Sequence, residues 1–214
     1  MILRIFLCVS SCNKFGFHEE TRSEYRVHKR IKIMTSKELI EQLLNEANQT
    51  RLNVEKLFPN LPSDKLNKKP NPNTWSAAEC FQHLIYTNGE YLKRFSEIIK
   101  INSSEHGVSA EYKHSFLGKL ILYFVNPKTK MKSKTTKAFN PTFSKVETDV
   151  VKKYLEQHDL LTKTISGMKN LDLKKLRIPS PINNKIKYNL GDAIKILVLH
   201  DQRHIQQAER ALKS

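Results

Sequence analysis

Cysteine is scarce in this chain: Cys8, Cys12 and Cys80 are an odd number with no C-x-x-C among them. That excludes a disulfide scaffold and makes a reducing, cytoplasmic compartment the expectation. Long apolar runs are missing as well. None approaches the ~20 residues of a membrane-spanning helix, so no membrane partner is expected. The patch from Ile5 to Val9 also falls short of the ~7–15 apolar residues of a secretory signal. Acidic residues are few, 21 against 37 basic ones, which leaves a net charge of +16. Arginine is sparse within that excess, with nine Arg and 28 Lys. Dedicated nucleic-acid sites cluster Arg with aromatics, whereas lysine spread along a chain forms a solvated surface. Nucleic acid is therefore not an expected partner. What remains, 214 residues with 39% hydrophobic content and a mean hydropathy of −0.53, is enough for one soluble domain with a real core.

Residues 1–33 carry charge without periodicity and read as a disordered leader or an upstream extension, with Met34 a natural first residue. The domain then runs over 34–214. Its first helix is expected from about Ser36 to Phe58. Thr35 and Glu38 make a capping box, Leu39, Ile40, Leu43, Leu44, Ala47, Val54 and Leu57 form the buried face, and Pro59 and Pro62 stop it. A turn-rich connection follows. The second helix opens with a capping box of Ser76 and Glu79, with Trp75 stapled before the cap, and runs to about Ile101. His83 sits on its apolar stripe, beside Phe81 and Leu84.

Periodicity fades from Asn102 to Ser144. The apolar segment SFLGKLILYFVNP is expected to form a helical turn or two lying over the bundle. The lysine-alternating PKTKMKSKTTK reads as an exposed loop, because no aromatics interleave the lysines. A third helix is expected over Lys145–Met168, with Leu160 and Leu161 among its apolar residues and His158 facing solvent. KNLDLKKLRIPSPINNKIKY is expected to be a linker. The last helix opens near Asn189, a capping residue, with Asp192 suited to the positive end of the helix dipole. It carries the broadest apolar face in the chain.

His200 and His204 lie four apart on that helix, hence on one face and about 6 Å apart along the axis. Two imidazoles so related can close on one metal ion, although such pairs also occur on exposed faces without one. The string differs from the H-E-x-x-H of zinc proteases. Asp201 stands where the Glu belongs, and ten residues after His204 leave little chain for a downstream ligand. A third ligand must come from earlier, and His83 is the candidate; by itself it would read as a satisfied, partly buried histidine. Three neutral imidazoles from two packed helices make an open site of the zinc type.

Four amphipathic helices with the longest insertion between the second and third define an all-α four-helix bundle. The pattern W-S-x-x-E-x-x-x-H-L, carried by Trp75, Ser76, Glu79, His83 and Leu84, is joined by H-x-x-x-H-x-x-Q at His200, His204 and Gln207. Together with the F-x-G…K-T-T-K-x-F-x-P insertion, these resemble the DinB/YfiT-like superfamily from about Ser36 to Leu212. The resemblance implies the bundle fold, and His83, His200 and His204 as a metal triad. It also implies a kinship with metal-dependent hydrolases and thiol S-transferases, though not with the DNA polymerase that shares the name.

The expected cofactor is a divalent ion, zinc or nickel. The expected partner is a small molecule, in particular a low-molecular-weight thiol, and a homodimer is compatible with the pattern. Asp201 is the candidate catalytic residue, orienting an imidazole or acting as a base; the alternative is a solvated surface carboxylate. Cys80 reads as a small buried hydrophobe rather than a ligand. Gln207 either bonds near the site or fills a packing gap. The functional alternatives to a metal enzyme are a non-catalytic bundle with a structural metal and a basic nucleic-acid module.

Overall fold

Two self-capped helices set the frame of the protein, as seen in a computed structural model that describes residues 34–102, 111–129, 135–136, 139–141, 146 and 149–214. Helix α1 spans Ser36–Leu57 and α3 spans Ala77–Ile101. Each begins with a complete capping box, Thr35 with Glu38 and Ser76 with Glu79, so two of the free amides at each start are satisfied by side chains of the same turn. The turn-rich connection between them contains a short helix, α2 (Ser63–Asn67), which buries Leu66. The expectations for residues 1–33 lie outside the described residues, as does most of the lysine-alternating loop.

Helices α5 (Val150–Gly167) and α6 (Leu190–Leu212) complete a four-helix bundle, and the fold is all-α. Packing runs around a closed ring in which α3 lies against α5 and α6, and α1 closes the other side against the same two. That ring leaves α1 and α3 on one diagonal and α5 and α6 on the other. The core falls into two clusters along the bundle. One is built on Leu39, Ile40, Leu43, Phe95, Leu161, Ile165 and Ile194, the other on Val54, Phe58, Phe81, Leu84, Val150, Tyr154 and Ile205.

Three expectations need correction. Helix α5 begins at Val150 rather than Lys145, and its buried stripe is Val150, Tyr154, His158, Leu161 and Ile165. His158 is therefore inside, at 1% exposure, and Leu160 is outside at 54%. The stripe takes its phase from Tyr154 and His158, which turns the apolar Leu160 to solvent. The segment before α6 is more than a linker, because Arg177–Pro179 (β1) pairs antiparallel with Lys187–Asn189 (β2) and buries Ile178 and Tyr188. Tyr188 then meets Tyr91 of α3, hydroxyl to hydroxyl at 2.7 Å.

Within the insertion, a ten-residue helix, α4 (Phe116–Val125), packs on α6. Asp192, in the first turn of α6, is the reason it docks there. Its Oδ2 accepts from the Ser115 amide and hydroxyl, and its Oδ1 from the Tyr112 hydroxyl and the His114 ring. Gly118 and Gly191 permit the approach: a Cβ on the first would overlap the Asp192 carboxylate, and one on the second the Tyr112 ring. Asn189 caps α6 as the sequence suggested, its Oδ1 accepting from the Asp192 amide at 2.7 Å.

Candidate metal centre

His83 arrives from the second turn of α3, and His200 and His204 from the middle of α6. The α3–α6 contact brings the three rings together, with centroid separations of 5.1 Å for His83–His200, 4.6 Å for His83–His204 and 4.5 Å for His200–His204. One nitrogen from each ring lies within 4.8 Å of the other two. His83 is buried, whereas His200 and His204 keep part of their surface exposed.

The tautomer of His83 is fixed by its surroundings. Nδ1 donates its proton to the Phe139 carbonyl at 2.7 Å, which leaves a lone pair on Nε2. That Nε2 faces His200 Nε2 at 3.2 Å. Two nitrogens at this separation are close enough for both to hold one ion at the ~2.0–2.1 Å of a Zn–N bond. The electrostatics agree with the geometry. Burial holds the His83 ring below its ordinary pKa, opposed by the Phe139 carbonyl. Burial, then His83 and Arg203, push His200 down to about 3. Burial and the neighbouring His200, His83 and Arg203 hold His204 well below the usual imidazole range, against a side-chain bond from Gln207. All three rings are thus neutral near pH 7, with lone pairs available as ligands. The residues present fit a divalent ion.

Trp75 forms one wall of this site, its ring 4.9 Å from that of His83 and 5.7 Å from that of His204. The sequence offered it only as a staple for the start of α3. Phe139 entered the sequence reading only as the F of the K-T-T-K-x-F-x-P insertion, with no role at the site. It lies 56 residues from His83, and no local pattern can announce a backbone carbonyl reaching a ring at that distance.

Asp201 is buried at 3% exposure, so it is no surface carboxylate. Its Oδ2 accepts from the Tyr154 hydroxyl at 2.9 Å and from Asn88 Nδ2 at 3.1 Å, linking α6 to α5 and α3. No hydrogen bond joins it to an imidazole among the described residues. Burial pushes its pKa up to about 7, despite those two bonds. Cys80 is fully buried, and burial with the neighbouring Glu79 raises its thiol pKa far out of the reactive range. It packs as a small hydrophobe. Among the described residues, the three histidines are the one group of His, Cys, Asp and Glu drawn together in this way.

A four-helix bundle holding three convergent imidazoles on two of its helices is the class of protein defined by fold and site. The model of the DinB superfamily matches residues 46–208, more than half of the chain and both histidine-bearing helices, and the chain belongs to that superfamily. Comparison with curated proteins found no match, and neither did comparison with solved structures. Membership and the histidine cluster together fit a metal-binding protein.

Proposed function

We propose that the chain is a metal-dependent enzyme transferring a low-molecular-weight thiol to an electrophilic small molecule. His83, His200 and His204 hold its one divalent ion, zinc or nickel. The observation that carries this reading is one-sided convergence: all three ligands come from α3 and α6, and two of them remain partly exposed, so a small molecule can approach from the open side. Structural zinc, by contrast, is closed by four protein ligands. When bound, such an ion supplies positive charge that stabilises a thiolate at neutral pH.

The chain's own residues do the rest. The Phe139 carbonyl holds the His83 ring with Nε2 toward its partners. Trp75 shields two of the rings with an apolar face, and Arg203, beside His204 in sequence, helps keep the imidazoles unprotonated. Hydrolysis of an amide or ester would ask for a general base as well. Asp201 is engaged by Asn88 and Tyr154, and a thiol stabilised as thiolate needs no separate base, which favours transfer.

The test is to incubate metal-loaded protein with a panel of small thiols and monochlorobimane, with His204→Ala as control. The proposal expects thiol-dependent turnover by wild type and none above background by the variant. Equal rates for the two proteins would remove the transferase reading, and a single equivalent of metal without any turnover would leave the structural-metal alternative.

A further inference from the structure

Helix α4 is apolar on both sides. Ile121, Leu122 and Val125 pack toward the core, as an amphipathic surface helix should. The opposite face carries Phe116, Leu120, Tyr123 and Phe124 at spacings of four, three and one, and all four are exposed, Phe116 at 87% and Tyr123 at 59%. This stripe is held outward at both ends of the helix. At the N-terminal end, Ser115 is bonded to Asp192 and Gly118 sits against the same carboxylate. Past the C-terminal end, Arg203 Nη1 donates to the carbonyls of Asn126 and Thr129, both at 3.0 Å. A helix fastened so firmly cannot roll its aromatics inward.

Charge selects the occupant. Exposed lysines flank the stripe: Lys119 lies within it, Lys128 follows it, and Lys113, which pairs with Glu111, precedes it. From Tyr112 to Val146 the sequence contains eight lysines and no aspartate or glutamate. We propose that the outer face of α4 docks on the surface of an anionic phospholipid bilayer, with Phe116, Leu120, Tyr123 and Phe124 at the headgroup boundary and the lysines on the lipid charge. Aromatic residues beside lysine on a helix lying in the interface suit that environment. The absence of a spanning helix does not bear on it, since surface docking needs none. A second copy of the chain fits the face less well, because a twofold contact would set its lysines against each other. Nucleic acid fits less well too, since the stripe has no arginine and its centre is aliphatic as well as aromatic.

The full-length chain is to be sedimented with vesicles of phosphatidylcholine alone and with vesicles containing phosphatidylserine. Phe116→Ser/Phe124→Ser and Lys119→Glu/Lys128→Glu are made in the same full-length background, so any contribution from residues 1–33 is common to all. These positions are exposed, and an unchanged melting temperature verifies that each variant is folded. The proposal expects binding to the anionic vesicles only, weakened by salt, and about tenfold or more weaker in either double variant. Absence of binding, or equal binding by wild type and both variants, would overturn it. So would a dimer in sedimentation velocity, or single-stranded RNA binding, lost in Phe116→Ser/Phe124→Ser while vesicle binding is absent.

Discussion

At the residue scale, the site depends on which atoms around the imidazoles already have partners. Asp201 Oδ1 and Asn88 Oδ1 are buried without a hydrogen-bond partner, while Asp201 Oδ2 accepts two. An amide at position 201 can keep the accepting oxygen and put a donor where the unpaired oxygen was. Asp201→Asn is therefore expected to retain thiol-transfer activity within about threefold. Asp201→Ala strips the acceptor from Tyr154 and Asn88 and should lose about 1–3 kcal/mol in denaturant unfolding. Loss of activity in a folded, metal-loaded Asp201→Asn would restore the carboxylate as a base. His158 offers a second prediction. Burial, then Arg51, lowers its pKa to about 4 from the ordinary 6.5, with Asp159 opposing. The unfolded chain takes up that proton first, so the contribution is full above pH 6.5 and is lost as pH falls toward 4. Urea unfolding between pH 7 and 4.5 should show a shallower loss of stability in His158→Phe than in wild type, and identical slopes would refute the assignment. The spacing of His200 and His204 was legible because a helix has a fixed period. Trp75 against His204 and Phe139 on His83 were not, because they join parts of the chain far apart in sequence.

The same division holds for the elements. Helices α1, α3 and α6 could be read closely, since each announces its start with a capping side chain and its buried face with periodic apolar residues. In α5 the buried stripe includes Tyr154 and His158, whose polarity hid the phase of the helix. The β1–β2 hairpin pairs only three residues on each side, too short for alternation to declare it. In α4, Gly118 sits within an apolar run and carries no side chain to announce a contact, yet it is the contact point with Asp192. Gly118→Ala should consequently lose about 1–3 kcal/mol, because the Asp192 carboxylate is buried and cannot swing aside without giving up Ser115, Tyr112 and His114. Thermal unfolding of the variant is the check, and an unchanged midpoint would mean that α4 docks otherwise. Helix α4 is also where the sequence foretold least about function, since an apolar stripe is ordinarily assigned to a core.

For the molecule as a whole, the self-contained cap of α1 and the Met34 carbonyl, which accepts from the Tyr112 amide at 2.7 Å, suggest a domain that folds from Met34. A chain starting there is expected to melt within about 2 °C of the full-length protein. A broadened transition would show that residues 1–33 pack on the bundle. Helices α3 and α6 together bring three neutral imidazoles to where one ion could be held. Trp75, the one tryptophan of the chain, reports on this directly, with its ring 4.9 Å from His83 and 5.7 Å from His204. The measurement is a titration of metal-free protein with nickel, followed by Trp75 emission and checked by elemental analysis after gel filtration. Saturable quenching at about one equivalent is expected, reversed by a chelator and abolished in His83→Ala, His200→Ala and His204→Ala. Unchanged emission with no metal retained, or the same titration curve in all three variants, would contradict it.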